Sequence, residues 1–145
     1  MWQSAASAIG KQIEILTASS NLDIDAAFAS LAQKRADALL VAPQILFSTR
    51  RVQLLTLAAR HAVPTMYHQR EFVEAGGLMA YSIDLAEIYR HLANLIDKVL
   101  RGANPGDIPF YQPTKFELSI NLKTAKALGL EMPAMLLGRA DEVIE

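Results

Sequence analysis

The sequence predicts an α/β fold built on a parallel, Rossmann-like sheet with flanking helices, and three observations carry that expectation. Residues 12–17 (QIEILT) alternate polar and apolar side chains with β-branched residues, the period-2 signature of a strand with one buried face. Residues 38–42 (ALLVA) form a short apolar run stopped by Pro43, as expected of a parallel strand covered by helices on both faces. Helical stretches lie between these runs on short connections, giving the order β-α-β-α-β. Crossover helices that return the chain to the same edge make such a sheet parallel and its crossovers right-handed. A chain of 145 residues, 52% of them hydrophobic, suits a single core, as one domain or one lobe of a larger protein.

The elements follow in order. After the strand at 12–17, Ser19, Ser20 and Asn21 supply turn chemistry, and Asn21 or Asp23 is expected to accept the free amides opening a helix. Ile24, Ala27, Phe28 and Leu31 share one face of that helix, which should end near Arg35. Past the second strand, Ser48 or Thr49 is the expected cap of a helix carrying Val52, Leu55, Leu57, Ala58 and Ala59 on one broad side. Residues 63–67 (VPTMY) then make a third strand, and 78–81 (LMAY), after Gly76 and Gly77, a fourth. A long amphipathic helix from about Asp84 to Leu100 carries Leu85, Ile88, Leu92, Leu95, Ile96 and Val99, and Gly102 stops it. Pro105, Pro109 and Pro113 punctuate an extended tail, 116–121 (FELSIN) alternates as a strand, and 124–128 reads as a short helix. Gly129, Pro133 and Gly138 break the remainder into turns and one more brief helix, and no internal repeat is present.

Composition excludes several function classes. The net charge is −1 and the longest basic cluster is the pair Arg50 and Arg51, so no nucleic-acid partner is expected. With no cysteine there is neither a disulfide, a thiolate zinc site nor a cysteine nucleophile. The first ten residues lack a basic region and an apolar core suited to a secretory signal, so as written the chain is expected to stay in the cytoplasm. No uninterrupted apolar run approaches the roughly 20 residues needed to span a bilayer.

His61, His68 and His91 stand on separate elements without metal-ligand spacing, and they read as ordinary surface or core histidines. Glu71 and Glu74, three apart, read as a solvated helical face lacking an opposed acid or base. There is no GxSxG, GxGxxG or Walker-type loop, and Gly76 and Gly77 precede a strand where a phosphate site needs a helix. No cofactor, metal or catalytic residue is therefore expected. What remains is position, because ligands of open parallel sheets sit beyond the carboxyl ends of the strands. Three segments leave those ends. In the first, Gln44 can hydrogen-bond a ligand and Phe47 can stack on it or plug the core. The second, 67–72, offers Tyr67, Gln69 and Glu71 to a ligand or to solvent. The third offers Tyr81, with Asp84 read as a helix cap.

Three blocks together carry a resemblance: REFVEAGGLMAY at 70–81, LRGANPGDIP at 100–109 and QPTKFELSINLKTAKALGL at 112–130. With them the chain resembles, from about residue 11 to its end, the solute-binding subunits of ABC importers with the type I periplasmic-binding fold. The third block is the most specific. The resemblance implies a C-terminal half, lacking an N-terminal lobe and leader, of a protein roughly twice this size. It implies that residues 1–76 are βα units of the C-terminal lobe, that 77–104 are a strand and helix crossing to the other lobe, and that 105–145 are a returning tail.

On that resemblance the expected function is non-covalent capture of a small organic solute, an amino acid being one class, for an ABC permease. The full-length relative would be periplasmic or lipid-anchored. Gln44, Gln69 and Glu71 would be polar anchors and Phe47, Tyr67 and Tyr81 would suit a planar ligand. Two other classes stand beside it: a ligand-free oligomerising fragment, and a small α/β enzyme or flavodoxin-like regulator using Glu71 or Asp84. A homo-oligomer is expected, since the face bearing Leu85, Ile88, Leu92 and Ile96 requires a cover.

Overall fold

The computed structural model describes residues 2–145, which divide into two compact units, the first ending at Ala36 and the second spanning Asp37–Glu145. In the first unit α1 (Trp2–Ala8) is followed by Gly10, at φ +69°, and an extended stretch, then α2 (Asn21–Lys34). Ile24 and Phe28 of α2 are buried. The cap differs from the expected Asn21 or Asp23. Ser20 Oγ accepts from the Asp23 amide at 3.2 Å, while the Asp23 carboxylate reaches back to Ser19 N at 2.9 Å and Ser19 Oγ at 2.8 Å. Those bonds, the Ser19 amide first, hold the Asp23 carboxyl below its ordinary range. Arg35, in the left-handed region at φ 53°, ends the helix.

The strand expected at 12–17 does not form, because alternation marks a face but a strand needs a neighbour's amides and carbonyls. No described strand pairs with these residues, and Ile13 and Ile15 are exposed. Glu14 is instead ion-paired with Lys34, both half-exposed, an interaction of small worth in water.

In the second unit a five-stranded sheet runs in sequence order: β1 (Leu39–Leu40), β2 (Thr65–Tyr67), β3 (Met79–Ile83), β4 (Phe116–Asn121) and β5 (Glu142–Ile144). The pairs β1–β2, β2–β3 and β4–β5 are parallel, whereas β3–β4 is antiparallel over its whole length, from Met79 opposite Ile120 to Ile83 opposite Phe116. The single antiparallel pair departs from an all-parallel sheet for a simple reason: the chain that leaves β3 at Ile83 comes back at the same end, through α6 (Leu85–Leu100) and an extended tail, instead of crossing the sheet. β1 is a short edge strand with Leu40 exposed, so it is not covered on both faces as expected. β5 lies where only turns and a helix were expected; three residues are too short for a periodic signal, and its ladder to β4 makes it.

The expected helix after Thr49 is two helices, α3 (Ile45–Thr49) and α4 (Arg51–Arg60), broken at Arg50. Ser48 lies inside α3 and is not a cap of α4. α4 buries Leu54, Leu57 and Ala58 and leaves Val52 exposed. α5 (Arg70–Glu74) follows β2 and drives Phe72 and Val73 wholly out of water. Its far side is tied to the end of β4, where Asn121 Nδ2 donates to the Val73 carbonyl at 3.1 Å. Asn121 also caps α7 (Leu122–Ala127), whose Thr124 Oγ1 donates to the Gly76 carbonyl at 2.8 Å.

α6 is strongly amphipathic, more so than α2 or α4, and buries no residue. Asp84 caps it, accepting from the Glu87 amide at 3.0 Å and from Lys115 Nζ at 2.6 Å. The tail beyond the 3-10 turn Pro105–Asp107 lies along part of the helix, where Tyr111 stacks on His91 and its hydroxyl donates to Glu87 Oε1 at 2.6 Å. A groove of about 490 Å³ opens between Ile88, Leu92, Leu95 and Val99 on the helix and Ile108 and Phe110 on the tail. The final helix α8 (Ala134–Leu137) precedes β5.

Candidate functional site

Because β1, β2 and β3 are mutually parallel, the connections that follow them emerge at one edge of the sheet. The first two flank a shallow, open cleft of about 470 Å³ lined by Pro43, Gln44, Ile45, Ser48, Thr49, His68 and Gln69. Gln44 and Gln69 hold equivalent places in it, each with extended backbone immediately before a short helix. Serine, threonine, asparagine or aspartate usually fills that place and bonds a free amide of the first turn. Neither glutamine makes such a bond, so the local capping preference is broken twice at the one spot where two strand ends meet.

The centre of the cleft is Ser48. Its Oγ donates to Gln69 Oε1 at 3.1 Å and lies 3.3 Å from His68 Nε2, joining the two connections across 20 residues of sequence. The His68 ring is tilted against Phe72 at 5.5 Å between centroids. Burial depresses its pKa, opposed by the Val41 backbone and the charge of Glu71, so the neutral ring is favoured. Glu71 Oε2 is buried without a hydrogen-bond partner. Among the described residues no group of three or more His, Asp or Glu could hold a metal ion.

The six residues singled out in the sequence fall into distinct places. Gln44 and Gln69 share the cleft. Glu71 stands behind it, half-buried, near enough to His68 to influence its protonation. Phe47 is half-buried in α3 and Tyr81 is exposed on β3, its ring stacked on Phe116 at 5.3 Å; neither lines the cleft. Tyr67 is a core side chain, only 1% exposed and stacked on Phe72 at 4.6 Å, and burial pushes its hydroxyl up to about 12. Five lining residues lie outside that set: Pro43, Ile45 and three with polar side chains. Of these, Ser48 and Thr49 read as helix caps in the sequence and His68 as an ordinary histidine; the run of hydrogen-bonding side chains around His68 is the one available signal.

The family profile described as ABC transporter substrate binding protein matches residues 1–144. The chain belongs to that family. No curated protein matches it in sequence. Solved structures give the same fold: an L-Trp complex of an ABC domain from Streptococcus pneumoniae superimposes with a TM-score of 0.89 at 25% identity, over 99% of this chain and 49% of that one. A conserved domain protein from Vibrio cholerae gives 0.87 at 22% identity, over 97% and 47%. The ligand-free, open form of a substrate binding protein with adhesive properties from Clostridium difficile gives 0.69 at 21% identity, over 99% and 48%. The chain thus spans about half the length of these structures. Its fold is that of a periplasmic-binding-protein lobe, α/β with a mostly parallel sheet, and no described helix is long and apolar enough to cross a membrane.

Proposed function

We propose that this substrate-binding family member captures a small organic solute, without catalysis, in the cleft between the β1–α3 and β2–α5 connections. The observation that carries the reading is the convergence there of Gln44, Ser48, His68 and Gln69 at the carboxyl edge of the sheet. An amino acid is the favoured solute class, in keeping with the L-Trp bound to the pneumococcal structure. The importer role, a permease partner and a periplasmic or lipid-anchored setting belong to this reading through the family. So does the assignment of residues 77–104 to a second lobe.

Thermal-shift and calorimetric titration of the chain with the twenty amino acids and small carboxylates test the reading. A true ligand at a hundredfold its Kd should stabilise the fold by about 2.7 kcal/mol and be recovered unchanged. Ser48→Ala should weaken binding about fivefold, the worth of one hydrogen bond. No stabilisation by any of these solutes would reject the reading, and turnover would favour an enzyme.

A second reading rests on α6. Leu92 and Ile96 are 48% and 52% exposed, and Leu85, Tyr89 and Val99 are exposed beside them. A stripe of this kind, extended by exposed Phe110, would serve a homo-oligomer burying about 800 Å² per partner. Light scattering at tens of micromolar decides: a strictly monomeric mass removes this reading and leaves the first intact.

A further inference from the structure

α6 follows β3 after Ile83 and the tail rejoins β4 at Phe116, the residue opposite, so helix and tail form one arm attached to the sheet at a single end. The tail takes one flank of the helix: Ile88, His91 and Leu95 are half-buried there and line the groove. What stays open is a stripe of Leu85, Tyr89, Leu92, Ile96 and Val99, all exposed. Its spacing of four, three, four and three residues follows the roughly 3.5-residue repeat with which one helix packs along another. A stripe confined to those positions is narrower than the face a helix turns to a globular core. On the flank away from the tail stand Ala86 and Ala93, small enough to admit a neighbouring backbone, and one position further round come Arg90 and Asp97. No charged side chain of α6 lies on the stripe itself.

We propose that the partner of this stripe is α6 of a second copy of the chain, laid antiparallel so that Tyr89 faces Val99 of the second copy and Leu92 faces its Ile96. The occupant must carry the same spacing, a small-residue flank and rim charges in the reverse order, and α6 turned end for end supplies all three. In that register Arg90 comes level with Asp97 of the other copy, and the two-fold axis makes the contact twice. The basic end, with Lys98 and Arg101, lies toward the acidic end, with Asp84 and Glu87, and the helix dipoles oppose. A parallel pair would set Arg90 and Lys98 against their own copies and crowd both sheets at one end of the seam. The antiparallel pair carries the sheets to opposite ends, and both tails run along the same side, where the wholly exposed Phe110 adds apolar area. The inference rests on the homo-oligomer reading and adds the element that partners α6 and its direction.

The chain has no cysteine, so introduced cysteines report the contact directly. Tyr89→Cys and Val99→Cys, mixed and oxidised, should give a disulfide-linked dimer. Neither variant should link to itself, because in this register a residue and its own copy stand about 15 Å apart along the seam, beyond the reach of a disulfide. Arg90→Glu, an exposed change that leaves the seam intact, should raise the Kd of self-association about tenfold by light scattering on dilution, and adding Asp97→Arg should restore most of it. Three results would overturn the inference while the oligomer stood: a native dimer whose mixed cysteine variants fail to link, Tyr89→Cys linking to itself, or Arg90→Glu associating as the native chain does. A native chain that stays monomeric at tens of micromolar removes the homo-oligomer reading and this inference with it, and leaves the stripe to a different protein.

Discussion

The corner formed by residues 65–78 and the arm formed by residues 84–113 are both strongly patterned in sequence, yet they end in opposite physical states. In the corner Tyr67, Phe72, Val73 and Leu78 leave water almost completely, with the rings of Tyr67 and Phe72 stacked 4.6 Å apart. Gly77 is hemmed in, since a Cβ there would sit 2.7 Å from Tyr67 Cε2 and 2.8 Å from the Phe72 carbonyl oxygen. In the arm, α6 is strongly amphipathic and buries nothing. The comparison teaches that amphipathicity states that a face wants cover, while burial depends on whether another element is placed to give it.

The largest expected effect comes from emptying the corner. Phe72→Ala should cost about 4 kcal/mol, transfer and cavity together, read from urea unfolding. Leu92→Ala on the arm should cost under about 1 kcal/mol, because half its surface is already in water. A cost for Leu92→Ala that equals the corner's, or that grows with protein concentration, would mean that α6 is covered in solution.

Next in size is Gly77→Ala. Its new methyl must displace a ring and a backbone carbonyl at once, so about 2–3 kcal/mol is expected from overpacking. The control is Gly102, just past the end of α6: a Cβ there meets nothing within 4 Å, and only its positive φ of 96° penalises Gly102→Ala, by about 1 kcal/mol. Similar losses at the two glycines would remove the contrast between the tight corner and the open arm.

The smaller effects are in pH dependence. Tyr67, raised to about 12 by burial, contributes stability that is complete below the ordinary tyrosine value near about 10 and is lost as pH rises from there to its folded value. Tyr67→Phe should flatten that alkaline limb. On the arm the order reverses. Lys115 and the Glu87 amide depress the Asp84 carboxyl, so its contribution is full above about 3.9 and is lost as pH falls through the lower folded value. Asp84→Asn should flatten the acid limb and fray the start of α6 by circular dichroism. An unchanged acid limb would show that the Lys115 contact at 2.6 Å does not persist in solution.

Much of the fold was legible because it is local. The span of β4 was readable from FELSIN, although Ser119, Ile120 and Asn121 are all buried instead of alternating, and the extent of α6 was readable from its spacing, the Asp84 cap and Gly102. The family too was written in contiguous blocks, and the matched profile covers nearly the whole chain. Of the candidate site, Gln44 and Gln69 were legible as polar side chains just past strand ends.

Tertiary structure alone decided the rest, because each remaining outcome depends on a partner remote in sequence. Residues 12–17 have a strand's pattern and no ladder, β5 has almost no pattern and a ladder, and β4 runs antiparallel because its chain returns on the side it left. Tyr67 became core once Phe72 stacked on it, and Asn121 found Val73 across 48 residues. Ser48 changed from a helix cap to the centre of the cleft when His68 and Gln69 arrived beside it. Local periodicity fixes which surface an element offers, whereas the balance of donors, acceptors and cover at that surface belongs to whatever the folded chain brings against it.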